Sequence, residues 1–79
     1  GVYGLQRGFK KAGTNSILMS LWKVDDDATQ KLMTEFYENL LNGKTKAQSL
    51  LNAQRCVKSQ PGWEGPEYWA GFILLDGLN

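Results

Sequence analysis

Seventy-nine residues with nine basic and eight acidic side chains carry a net charge of +1 and no histidine. A chain this short buries only about 60% of the surface its unfolded form exposes, so one small domain is the most it can build. Near-neutral charge argues against nucleic acid or an anionic membrane as partner, 42% hydrophobic content argues against disorder, and the single Cys56 rules out an internal disulfide.

The opening Gly-Val-Tyr-Gly has neither an initiator Met nor a basic stretch before an apolar core. It reads as part of a longer, cytoplasmic chain and not as a secretory leader. In residues 2–12, Val2, Leu5, Phe9 and Ala12 recur at spacings of three and four. That spacing predicts a helix with one apolar face, closed by Gly13 as a left-handed cap. Ser16 to Trp22, mostly apolar without clean alternation, predicts a strand buried on both faces, as in a parallel sheet.

After Asp25-Asp26-Asp27, the residues Ala28, Leu32, Met33, Phe36, Tyr37, Leu40 and Leu41 repeat at helical spacing. They predict an amphipathic helix that Gly43 ends. Thr45 and Gln48 then read as a capping box opening a further helix, with Ala47, Leu50, Leu51, Gln54 and Val57 on one side, Ala53 and Cys56 flanking them, and Ser59-Gln60-Pro61-Gly62 as its breaker. Beyond a loop rich in Pro and Gly, Tyr68 to Leu75 predicts a second strand. The order α-β-α-α-β, with helices between strands, implies right-handed crossovers and parallel strands. Two strands make no stable sheet in water, so residues 1–79 read as a single partial domain of a wider α/β sandwich.

In open parallel sheets, ligands bind outside the carboxyl ends of the strands; here that end is Leu21 to Asp27. One aspartate suffices to cap the helix that follows, and the surplus beside Trp22 is available to line a pocket for a cationic side chain. Trp22 itself reads either as a ring covering the sheet edge or as a pocket wall. A metal fits poorly, since hard cations want about six or more oxygens and the sequence has no second acidic cluster. No cofactor is expected. Cys56 lacks a histidine base and reads as buried and inert; Ser16 and Ser20 lack a base for the same reason. Arg7, Lys10 and Lys11 read as a solvated helix face, too sparse for a nucleic-acid footprint.

Gly4-Leu-Gln-Arg-Gly-Phe9, Ala12-Gly13 and Ser20-Leu-Trp-Lys-Val-Asp-Asp26, followed by Phe36-Tyr37, Lys46-Ala47, Ala53-Gln54 and Tyr68-Trp-Ala-Gly-Phe72, together resemble the CHAT family. These are caspase-like cysteine peptidases of the clan that also holds separase, caspases and gingipains. Lys23 departs from the Pro often found there. The resemblance implies an α/β fold, the C-terminal portion of a caspase-like three-layer sandwich. It places the catalytic His and Cys upstream, leaving a small-subunit-like piece that supplies scaffold and part of the specificity cleft. It further implies that Trp22 and one of Asp25 or Asp26 shape the primary pocket for a protein or peptide substrate. A catalytically silent, caspase-like interaction module is the alternative. The expected partner is the upstream half of the same domain, with self-association through exposed strand edges also anticipated.

Overall fold

The computed structural model describes residues 6–77. Its elements are β1 (Gln6–Lys11), β2 (Thr14–Ser20), α1 (Asp26–Leu41), α2 (Lys46–Lys58), α3 (Pro66–Trp69) and β3 (Phe72–Asp76). Two compact units result: a sheet unit, made of the residues up to Lys23 and those from Gly71 onward, and a helical unit, Val24–Ala70.

In the sheet unit the first prediction is overturned. The described part of the segment 2–12 is a strand, and Val2 and Leu5 lie outside the described residues. β1 pairs antiparallel with β2 from Lys11↔Thr14 to Gln6↔Met19. The connection is Ala12-Gly13, with φ of 52° and 82°. Positive φ at both central residues is what a two-residue hairpin turn requires, because its twist then matches that of the strands. The Gly13 read as a helix cap therefore serves a hairpin, and Ala12 has left the helical region altogether.

The expected parallel sheet is also corrected: all three strands pair antiparallel, in the order β1-β2-β3. The ladder between β2 and β3 runs from Ser16↔Asp76 to Ser20↔Phe72. One pair further along, the Leu21 N–H donates to the Gly71 carbonyl at 2.7 Å. The chain thus leaves β2 and re-enters directly opposite the point of departure, so β3 has to run the other way. A parallel return would need a crossover to the far end of the sheet. The order is β-β-α-α-α-β instead of α-β-α-α-β, and the chain mixes helix and strand without displaying the parallel three-layer arrangement. Burial along β2 alternates, with Ser16, Leu18 and Ser20 buried and Ile17 and Met19 half-buried. This is the pattern of one buried face, not two.

The helical unit follows the sequence more closely. Asp25 caps α1, whose buried residues are Ala28, Leu32, Met33 and Phe36, spaced to share one face. Tyr37 packs edge-on against Phe36, with ring centroids 5.4 Å apart, and Leu41, 87% exposed, lies beyond the stripe. Thr45 caps α2 by accepting from the Gln48 N–H at 3.1 Å. Helix α2 packs against α1, and Asn52 Nδ2 donates to Asn39 Oδ1 at 2.9 Å to tie the two. The buried side of α2 is Ser49, Ala53 and Val57, whereas Leu51, expected there, is exposed and Ala47 is not among the buried residues. Ser49, Ala53 and Val57 recur every four residues and share one face of α2, and it is this face that is buried, not the one that carries Leu51.

Pro66–Trp69, expected in part to begin the second strand, is a helical turn with Pro in its first positions, where the missing N–H costs nothing. The Gln54 amide donates to the Trp69 carbonyl at 2.9 Å, the Trp69 indole N–H donates to the Glu64 carbonyl at 2.9 Å, and Lys58 Nζ lies 4.8 Å from the Trp69 ring centroid. The contacts to Gln54 and Lys58 tie α3 to α2, and the strand that follows is Phe72–Asp76.

Candidate functional site

The end of β2 presents Leu21 and Trp22, which are 54% and 40% exposed. Trp22 belongs to the sheet unit. Its benzo ring lies on Gly71: a Cβ at that glycine would stand 2.6 Å from both Cε2 and Cζ2. The edge of the indole thus lies on bare backbone, in a residue that is 40% exposed as a whole.

The aspartates open the helical unit. Asp25 has φ −47° and ψ 135°, outside the helical region. Its Oδ2 accepts from the Ala28 N–H at 3.0 Å, and its carbonyl accepts from the Thr29 N–H at 2.9 Å. The capping reading therefore holds for Asp25, which satisfies one of the orphan donors of the first turn. Asp26 and Asp27 stand exposed in that turn, where negative charge suits the positive end of the helix dipole.

Cys56 is half-buried, less enclosed than expected. Burial pushes its thiol upward first, and the Glu35 carboxylate adds to the rise, while Lys31 opposes it. Both leading causes disfavour the thiolate, the reverse of what a nucleophile needs. Lys31 Nζ and Glu35 Oε1 are 3.2 Å apart one turn along α1, and the hydrogen bond to Glu35 holds the ammonium above its ordinary value. In the sheet, the buried Ser16 hydroxyl donates to Asp76 Oδ1 at 2.5 Å across the strand pair. Neither this pair nor the Trp22–Gly71 contact is marked by a sequence motif. The register between strands far apart in the chain creates the first, and ring placement creates the second.

Among the described residues, no group of three or more His, Cys, Asp or Glu side chains gathers to hold a metal, and no helix is long and apolar enough to cross a membrane. A shallow depression of about 460 Å³ opens beside the hairpin, lined by Gly8, Phe9, Lys10, Asn15, Ser16 and Ile17. None of the predicted site residues lines it.

The profile of the CHAT domain family matches residues 1–77. The chain is 39% identical over 75 residues to a human protein named Tetratricopeptide repeat protein 28, and 37% identical over 75 residues to the mouse protein of that name. Each match covers 95% of this chain and 3% of the relative, so the chain spans a small fraction of the relatives' length. No solved structure matches.

Proposed function

The chain belongs to the CHAT domain family, and from that premise we propose that residues 1–79 are one partial domain, the C-terminal part of a caspase-like cysteine peptidase domain in a longer cytoplasmic protein. In this reading the chain supplies scaffold and part of the specificity cleft, and polypeptide upstream supplies the catalytic Cys and His. The supporting observation is the state of the thiol. The sequence has no histidine, and burial and the Glu35 carboxylate both raise the pKa of the one cysteine, so the chain itself offers that thiol no activating base.

Trp22, Asp25 and Asp26 are proposed as the substrate-side residues. Trp22 is an exposed aromatic residue, against which a cationic side chain can pack, and the aspartates offer charge. Asp25 already gives one oxygen to the Ala28 N–H, which makes Asp26 the better placed to meet a cation. The substrate class is a protein or peptide with a basic residue before the cut. The test uses the full-length protein. Peptides ending in Arg or Lys are titrated against wild type and against Asp25→Ala and Asp26→Ala, and unchanged selectivity in both variants defeats the pocket assignment.

A catalytically silent interaction module is the second reading. The similarity to proteins named for tetratricopeptide repeats favours it, because stacked helical repeats of that class build extended binding surfaces. Substituting the upstream Cys in the full-length protein separates the two: loss of peptide cleavage supports the peptidase, while partner capture without cleavage in wild type supports the module. The sheet edges bear on assembly in either case. Outer strand β1 carries Arg7, Lys10 and Lys11, whereas outer strand β3 presents Ile73, Leu74 and Leu75. Charge on an edge discourages pairing, so the upstream half of the domain, or a second copy, is proposed to extend the sheet at β3.

A further inference from the structure

Gly71 is buried and stands directly before β3. It is not among the glycines with positive φ, so its backbone conformation is open to any residue and glycine is required there for space alone. A Cβ would lie 2.6 Å from Cε2 and Cζ2 and 2.8 Å from Cη2 of Trp22. One of the two groups has to move. The backbone is pinned, because the Gly71 carbonyl accepts from the Leu21 N–H at 2.7 Å. The close atoms are the far edge of a side chain on a residue that is 40% exposed, so the side chain yields before the backbone does.

We propose that Gly71 is a specificity-determining positioning residue: it seats the Trp22 indole against bare backbone and so sets how much room the pocket leaves for a cationic side chain. This rests on the reading of Trp22 as a pocket wall. An aromatic ring folded over a neighbouring glycine also occurs as plain cover in sheets, and the two roles differ in what they do to ligand choice. Cover affects the fold, whereas a positioned wall affects which side chain is accepted. With a methyl group at position 71 the indole moves outward and the packing distance between ring face and cation, on which the attraction depends, is lost.

The test is equilibrium binding of dye-labelled peptides that carry Arg, Lys or norleucine at the recognised position to the full-length protein. Wild type, Gly71→Ala, Trp22→Ala, the double variant, and Gly71→Ala with Trp22→Phe are compared. The preference for Arg over norleucine should fall about tenfold in Gly71→Ala. Gly71→Ala should add nothing in the Trp22→Ala background, and the smaller Trp22→Phe ring should recover part of the preference beside the added methyl group. Partial recovery also shows that loss of preference did not come from misfolding. If Trp22→Ala shifts the preference and Gly71→Ala does not, the proposal fails while the pocket wall stands. If Trp22→Ala leaves the preference unchanged, or wild type has none, the pocket-wall reading fails and takes this proposal with it.

Discussion

Asp25 combines two duties that substitutions can separate, capping α1 and carrying charge. Its Oδ2 is 3.0 Å from the Ala28 N–H, so Asp25→Ala leaves that donor without its side-chain acceptor at a cost of about 1 kcal/mol. The lost charge at the helix start adds about 0.3 kcal/mol on an exposed turn. Asp25→Asn keeps an acceptor of equal capping quality and loses only the smaller charge contribution, as does Asp26→Asn. For a chain of this size about 1 kcal/mol corresponds to roughly 4–8 °C in Tm. Thermal denaturation followed by far-UV circular dichroism should therefore place Asp25→Ala clearly lowest, with the two Asn variants within about 2 °C of wild type. Peptide affinity should follow a different order, because both Asn variants lose a carboxylate. If Asp25→Asn melts as low as Asp25→Ala, the cap is not the source of the stability; if basic-peptide affinity tracks Tm and not charge, the acidic corner is structural only.

Ala12 is a non-glycine residue at φ 52°, a region that costs an L side chain roughly 1 kcal/mol. Ala12→Asn, which makes an Asn-Gly turn of the favoured kind, should raise the denaturation midpoint by a corresponding amount; a lower midpoint would contradict the hairpin. Ser49 Oγ is fully buried with no hydrogen-bond partner among the described residues. Removing that hydroxyl in Ser49→Ala should stabilise the chain by about 1 kcal/mol, read from urea unfolding with an unchanged slope. Phe36 is fully buried, and Phe36→Ala should cost about 3–5 kcal/mol, enough to abolish the cooperative melt of so small a chain. The Cys56 thiol is raised by burial and then by Glu35. Its protonated form contributes stability below the unfolded thiol pKa, and that contribution is lost as pH rises through the folded value. Alkylation by iodoacetamide should accordingly run slower than for an unstructured cysteine peptide at the same pH, and Glu35→Gln should speed it. Equal rates for the folded chain and the peptide would sink this assignment.

Much of the helical unit was legible. The start of α1 at the aspartates, its buried residues Ala28, Leu32, Met33 and Phe36, and the Thr45 cap of α2 all follow from signals within one or two helical turns. The face of α2 was less legible, because hydrophobicity favours Leu51 over Ser49 whereas Ser49 is the one buried. Among the site residues, local chemistry showed that one of the three aspartates caps α1 but not that it is Asp25, and Trp22, expected as the last residue of the strand, lies two residues past its end. The seat of Trp22 on Gly71 was not legible, since nothing in the 48 intervening residues announces that contact.

The sequence by itself determined α1 and α2 and their caps, because those depend on residue type and on neighbours three or four positions away. Only the tertiary structure decided that residues 6–11 are a strand, that Ala12-Gly13 is a hairpin turn, and that β3 runs antiparallel to β2. Strand identity and direction are settled by pairing, and the partners here lie as far apart as Ser16 and Asp76, 60 positions along the chain. The weak helical spacing of residues 2–12 loses to a hairpin ladder with the next strand, and the direction of β3 is set by a ladder that no local window contains.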